Sequence, residues 1–302
     1  MHRLIAIDGT QIRVEEGLLR VARLEAEKYH FPRDPAAILP GLRNQRPRID
    51  LFTFTQRFSQ PDLRYPYPME TENVAALPVC TFDDWWTRQI DNKTRNMVRK
   101  GARAGVVVRE VPFSDDLVSG IWTIYNECPV RQGRPFRHYG KSLGCVYDEL
   151  ATFLDCSIFL GAFLEGILIG FAKLICDDAR TQLGIMSIVS MIGQRDKAPT
   201  NTLIAEAVRS CAERRIPHLV YADFAYRKRD KDGVAEFKRN SGFQRVDVSR
   251  YYVPLTTAGS IGFRLGLHHR PIEHIPEPVI AKLRTIRAAW YERQLRAWKK
   301  AI

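Results

Sequence analysis

The sequence contains no Cys-x-x-Cys pair, no cysteine near a histidine at zinc-ligand spacing, and no internal repeat or low-complexity tract. Its six cysteines, at positions 80, 128, 145, 156, 176 and 211, are scattered through 302 residues. That pattern excludes a disulfide scaffold and makes reduced, buried thiols the expectation. No structural metal is predicted, and no local Cys–His pattern supports a cysteine nucleophile. The first residues reach Asp8 after only Leu4-Ile5-Ala6-Ile7, too short an apolar run for a signal-peptide core. No recognised nucleic-acid module is present either, so sequence-specific DNA is not an expected partner.

A clean membrane span is missing too. The most apolar stretch, Cys156 to Cys176, has about the length of a span, but it carries Glu165 and Lys173. Glu165-Gly166 lies between two β-rich runs, which predicts two buried strands joined by a tight turn. The expectation is a soluble, cytoplasmic protein without a transmembrane segment.

What remains is ordinary globular composition with a basic excess. Hydrophobic residues make up 45%, charged residues 26% and aromatics 10%, and 46 Lys+Arg face 34 Asp+Glu for a net charge of +12. This length suits one large domain or two small ones.

Three regions are expected. Residues 1–81 read as an irregular Pro- and Arg-rich segment, a degenerate half-domain or an appendage. Within it Ile12–Lys28 suggests a helix from Val14, Leu18, Val21 and Leu24, the stretch Arg43 to Arg48 is arginine-rich, and Leu51–Thr55 suggests a strand. Residues 82–255 carry the sharpest signal. A helix is predicted from Thr81 to about Ala104, a strand at 106–111, helices over 114–127 and 141–153, and strands over 157–164, 167–175 and 180–189. A helix from Pro199 to about Arg214, a strand at 218–223, a helix at Gly233–Asn240 and a strand or strand pair from Phe243 to Pro254 complete it. The alternation implies an α/β (α+β) fold with helices on both faces of a sheet. Residues 256–302 form a basic tail with an amphipathic helix from Val279 to about Lys300. Its apolar stripe, Val279, Leu283, Ile286 and Trp290, is expected to pack on the parent domain, with an anionic membrane surface as the alternative.

Three segments carry a family resemblance. They are the basic helix Lys93–Arg103 entering Gly105-Val106-Val107-Val108, then Asn201–Ala207 with Ile216–Tyr221, and then Val234-Ala235-Glu236-Phe237-Lys238-Arg239-Asn240-Ser241-Gly242-Phe243. Together with the element order over residues 90–254, they resemble the general N-acetyltransferase (GNAT) superfamily, most of all its Fem-type branch, which builds peptidoglycan cross-bridges. The resemblance implies a GNAT-like mixed central sheet and acyl transfer by direct attack, with acetyl-CoA or another acyl-CoA as co-substrate and no metal. It places the donor carbonyl near Met186, Ser187 and Ile188 and the donor phosphates at the stretch 193–200, including Gln194, Arg195, Lys197 and Thr200. That stretch has Gly193 but lacks the later glycines of many acetyl-CoA users, and Asp196 opposes its two cations. Phe237 stands where many members have a proton-donating Tyr. Phe237-Lys238 matches the Fem-type branch, where Lys238 would neutralise a donor phosphate.

Acyl transfer to an amine needs a positioned donor, a polarised carbonyl and a proton acceptor. Candidate bases are Glu127 and Asp223, with Tyr226 behind them; each carboxylate has a capping or structural role as its alternative. The loop 126–141 concentrates Arg131, Arg134, Arg137 and His138 where this fold faces its acceptor, suggesting a small anionic acceptor. Segments 88–110 (net +5) and 226–245 (net +4) would suit tRNA. Three readings stay open: acyl-CoA-dependent N-acyltransferase, tRNA-dependent aminoacyltransferase acting on a cell-wall precursor, and inactive GNAT-like binding module.

Overall fold

The computed structural model describes residues 2–29, 31, 34–60, 64–225 and 233–269, and positions 279, 282–283, 285–287, 289–291 and 293 of the tail. Helix starts follow local side-chain chemistry. Thr81, Asp91, Ser114, Ser142 and Thr256 each accept a first-turn N–H, from Asp84, Thr94, Leu117, Cys145 and Gly259 respectively, satisfying donors that a helix leaves without a partner.

In chain order the elements are β1 (His2–Ile7), β2 (Thr10–Glu15), β3 (Val21–Leu24), α1 (Leu39–Arg43), β4 (Leu51–Thr55), β5 (Met69–Pro78), α2 (Phe82–Asp84), α3 (Asn92–Arg103), β6 (Val107–Val111), α4 (Asp115–Asn126), β7 (Val130–Arg131) and β8 (Arg134–Pro135). There follow α5 (Leu143–Leu150), β9 (Ser157–Leu164), β10 (Ile167–Cys176), β11 (Leu183–Ser190), α6 (Pro199–Glu213), β12 (His218–Val220), α7 (Gly233–Asn240), β13 (Gln244–Pro254) and α8 (Thr257–Arg264). The chain divides into two compact units. The first comprises Met1–Gln89, Ile175–Met186 and Cys211–Arg270; the second comprises Ile90–Leu174, Ser187–Ser210 and Pro271–Ile302.

In the first unit the strand order is β1-β2-β3-β4-β13-β5-β12, followed by the start of β11. Pairing is antiparallel except for β3 with β4 and β12 with β11. The first 78 residues are therefore more regular than their proline content implies. The helix expected over Ile12–Lys28 is instead the β2–β3 pair. Ile12 and Val14 are buried and alternate with Arg13 and Glu15, while Leu18, counted into the helical stripe, is 88% exposed. Two-residue alternation, not the apparent three- and four-residue spacing, was the operative period. A second correction concerns the helix expected from Thr81 to Ala104. It breaks into α2, a π-helical turn over Trp85–Gln89 and α3, restarted by Asp91. The wide turn directs Trp85 inward, fully buried, with its Nε1–H donated to Ser241 O at 3.0 Å.

In the second unit the order is the end of β11, then β10, β9 and β6. Val118, Ile121, Ile124 and Tyr125 of α4, with Val146 and Leu150 of α5, pack with Phe159 and Phe171. The expected tight turn is present: Glu165 (φ 52°) and Gly166 (φ 81°) both take the left-handed conformation of a two-residue hairpin. Lys173, in the middle of β10, is 1% exposed. Its ammonium donates to Leu150 O (2.9 Å), Thr152 Oγ1 (3.0 Å) and Thr152 O, and burial pulls its pKa down to about 8. Among the described residues no disulfide joins the six cysteines, of which Cys128 and Cys211 are buried while Cys80 and Cys145 are exposed rather than buried as expected, and no helix is long and apolar enough to cross a membrane.

The described tail positions between 279 and 293 are helical; the rest of the expected helix, to Lys300, lies outside the described residues. Its stripe does not pack as expected: Val279, Leu283, Ile286 and Trp290 are each at least half exposed.

At Gly184 the backbone must be bare. A Cβ there would sit 2.1 Å from Tyr29 Cδ1, and the Tyr29 ring is buried and held by its hydroxyl, which donates to Ile185 O at 3.0 Å. Gly184→Ala is expected to destabilise the protein by about 1–3 kcal/mol through overpacking. A urea midpoint equal to that of the wild type would contradict this placement.

Candidate functional site

Glu127 stands at the C-cap of α4. Its carboxylate accepts the backbone N–H of Ile192 at 2.6 Å and of Gly193 at 2.7 Å, one on each oxygen. Those donors open the 3-10 turn Ile192–Lys197, which leads through left-handed Ala198 into α6. The carboxylate also meets Arg131 Nη2 at 3.3 Å. A turn whose free N–H groups could receive a donor phosphate is thus filled by the protein's own anion.

Arg131 is held from several sides. It donates to Ser190 O (2.7 Å) and Ile124 O (2.6 Å), and its guanidinium lies 4.3 Å over the Phe136 ring. Burial, and the repulsion of Arg195 against the attraction of Glu127, leave its pKa lower than usual. Arg195 is exposed and within electrostatic reach of this knot. Arg134 is also exposed, on the β7–β8 hairpin. Arg137 is exposed but donates from Nε to His138 Nε2 at 2.9 Å.

His138 is buried and stacked 4.3 Å from the Tyr125 ring. Burial first, then the nearby charges of Arg137 and Lys141, push its pKa down to about 4, so it is neutral at pH 7.

On β11, Met186, Ser187 and Ile188 are half-buried. Ser187 bonds to the Tyr125 hydroxyl, whose pKa burial pushes up to about 12. Tyr125 is thus a protonated phenol at the strand expected to hold the donor carbonyl. It was missed in the sequence, where it reads as one more apolar position of α4. Ser190 Oγ and Thr200 Oγ1 are 2.7 Å apart, tying β11 to the start of α6. Gln194 keeps a buried Oε1 with no hydrogen bond among the described residues, and Lys197 lies 3.5 Å from Asp196.

In the first unit, Asp223 follows β12 and is ion-paired with Lys28. The pairing extends as an alternating chain: Lys28 meets Glu72 at 3.2 Å, Glu72 is bonded to Arg250 at 2.6 and 3.0 Å, and Arg250 meets Glu27 and Thr53. Burial alone would raise the Glu72 pKa, but the Arg250 hydrogen bond and charge, with Lys28, bring it to about 2. The partners in this network lie from 44 (Lys28–Glu72) to 223 (Glu27–Arg250) positions apart, and no local pattern announces it. Lys238 is fully buried. Its ammonium donates to Tyr221 O (2.9 Å) and Asp223 O (2.5 Å) and lies 4.3 Å over the Tyr221 ring. Phe237 beside it on α7 is half-buried. Tyr226 lies outside the described residues.

Solved structures share this fold. The C-terminal domain (DUF2156) of an Agrobacterium fabrum protein, described as a lysylphosphatidylglycerol synthetase, is similar at a TM-score of 0.56 and 11% identity over 88% of this chain and 86% of that one. The L-PGS of Bacillus licheniformis gives 0.54 and 15%, covering 83% of each chain. FemX gives 0.55 and 11%, over 88% of this chain and 90% of that one. No protein-family model matches the sequence, and no curated protein matches it. At such identities the likeness establishes the fold: a GNAT-like mixed sheet with FemX among its neighbours.

Two outcomes follow from this geometry. Glu127→Gln removes the charge and one of two acceptors from the 192–193 turn, which is expected to cost about 1–3 kcal/mol. Amide hydrogen exchange at Ile192 and Gly193 should rise more than elsewhere, and unchanged exchange there would contradict the assignment. The second concerns pH. Between about pH 6.5 and 4 the unfolded chain binds a proton at His138 that the folded chain refuses, so stability falls as pH drops through that window. His138→Gln should flatten that fall in denaturation curves, and an undiminished slope would contradict it.

Proposed function

We propose that the chain is an acyltransferase that moves an aminoacyl group from aminoacyl-tRNA to a phosphate-bearing acceptor. The fold supports acyl transfer, and one of the structural neighbours is named for a lysylated lipid and its synthetase. The observation that carries the choice of donor is the Glu127 carboxylate on the Ile192 and Gly193 N–H groups. Coenzyme A needs such donors for its pyrophosphate, and displacing a carboxylate from two short hydrogen bonds opposes its entry. An aminoacyl-tRNA makes no such demand. Its phosphates can be met by exposed arginines such as Arg195 and Arg134 through counterion release.

The reaction balances without a cofactor. An acceptor amine or hydroxyl attacks the ester carbonyl, a C–N or C–O bond forms, and the bond to the ribose oxygen breaks. The nucleophile's proton ends on that departing oxygen. Backbone N–H groups of β11 would polarise the carbonyl, and the neutral Tyr125 hydroxyl would hold Ser187 in place beside it.

The test is a transfer assay with a mixture of radiolabelled aminoacyl-tRNAs, offering phosphatidylglycerol vesicles and a nucleotide-linked muropeptide as separate acceptors. Label should pass to one of them, and an Arg134→Ala, Arg195→Ala double variant should transfer roughly tenfold more slowly at unchanged stability. Transfer from acetyl-CoA with none from aminoacyl-tRNA would restore the thioester reading.

A further inference from the structure

Glu70 on β5 and the adjacent pair His268 and His269, in the turn that follows α8, bring three ligand atoms together. His268 Nε2 lies 3.0 Å and His269 Nε2 3.2 Å from the same Glu70 Oε1, and the three atoms are all within 4.8 Å of one another. Neighbouring side chains ordinarily diverge, yet here both imidazoles turn the same nitrogen onto one oxygen. Ligands about 2.0–2.2 Å from a tetrahedral zinc ion stand roughly 3.0–3.5 Å from one another, a range that both His–Glu separations match, while the two imidazole nitrogens lie within 4.8 Å of each other.

The set is also held in place. The His268 side chain is 3% exposed, with its ring stacked on Phe263 (4.8 Å) and edge-on to Tyr252 (4.7 Å). The His269 ring lies 4.0 Å from it. The other Glu70 oxygen accepts the Tyr252 hydroxyl at 3.0 Å, the kind of outer partner that orients a metal-bound carboxylate. His268 Nδ1 is buried with no hydrogen bond among the described residues, so their hydrogen bonding does not account fully for this ring. Two imidazoles and one carboxylate are a zinc ligand set, and three protein ligands leave a fourth position for water.

We propose that Glu70, His268 and His269 bind one zinc ion, which fastens the segment after α8 to β5, about 200 positions earlier in the chain. Only the folded chain brings the three ligands together, so zinc stabilises it by linkage. None of the three takes part in the acyl-transfer reading, and neither proposal depends on the other.

The test uses full-length, tag-free protein dialysed against a chelator and titrated with zinc chloride. One equivalent should bind at micromolar concentration or tighter and raise the thermal midpoint by several degrees. A His268→Ala, His269→Ala double variant should bind at least roughly tenfold more weakly, and His218→Ala, in the same unit, should bind as the wild type does. No zinc binding by the wild type, or equal binding by the double variant, overturns the site. Should the double variant fail to fold, cobalt(II) absorption of the wild type decides. Tetrahedral d–d bands without thiolate charge-transfer bands support the site; thiolate bands, which would assign the ion to cysteines, or no bands at all, overturn it.

Discussion

The geometry of the second unit turns on one carboxylate. Glu127 closes α4, binds the first two N–H groups of the turn before α6, and anchors Arg131, which in turn reaches Ser190 on β11. A helix end, a strand end and the start of the next helix are thus joined through one anion and one cation. Each charge is compensated by hydrogen bonds as well as by its partner, the condition under which half-buried ions are tolerated. The same bonds occupy the first two N–H donors of the turn, those of Ile192 and Gly193, with the protein's own anion.

The first unit uses charge in a comparable way at a different place. Arg250 sits in an interior strand, β13 between β4 and β5, 2% exposed, and is bearable there because Glu27, Glu72 and Thr53 surround it. Lys28 extends the alternation to Asp223. Asp223 therefore follows β12 as one end of a network rather than as an isolated carboxylate, and the carbonyls of Tyr221 and Asp223 are claimed by the buried Lys238. A lysine so placed shapes the strand end and is not exposed to meet a ligand phosphate.

The parts of the fold that the sequence disclosed were those specified locally. Glu165-Gly166 marks a hairpin because two successive left-handed residues are a property of the dipeptide, and β9 and β10 flank it as expected. The helix Gly233–Asn240 and the start of α6 at Pro199 likewise follow from nearby residues. What stayed hidden depends on partners far apart. Glu127 was legible as a candidate, but its engagement 65 and 66 positions away was not. The same holds for Arg250 with Glu72, 178 apart, and for His268 with Glu70, 198 apart. β2 and β3 were misread for another reason: apolar residues in short strands linked by the five-residue loop 16–20 can fall at helical spacing by chance, and only their burial tells the two periods apart.

The donor is the central question, and equilibrium binding addresses it most directly. Acetyl-CoA and aminoacyl-tRNA should each be titrated into the wild-type protein at low and at moderate salt. An internally occupied 192–193 turn predicts saturable, salt-weakened binding of aminoacyl-tRNA and no saturable binding of acetyl-CoA at either salt. Saturable acetyl-CoA binding that survives moderate salt, with no retention of tRNA, would contradict it and return the turn to the role of a pyrophosphate cradle.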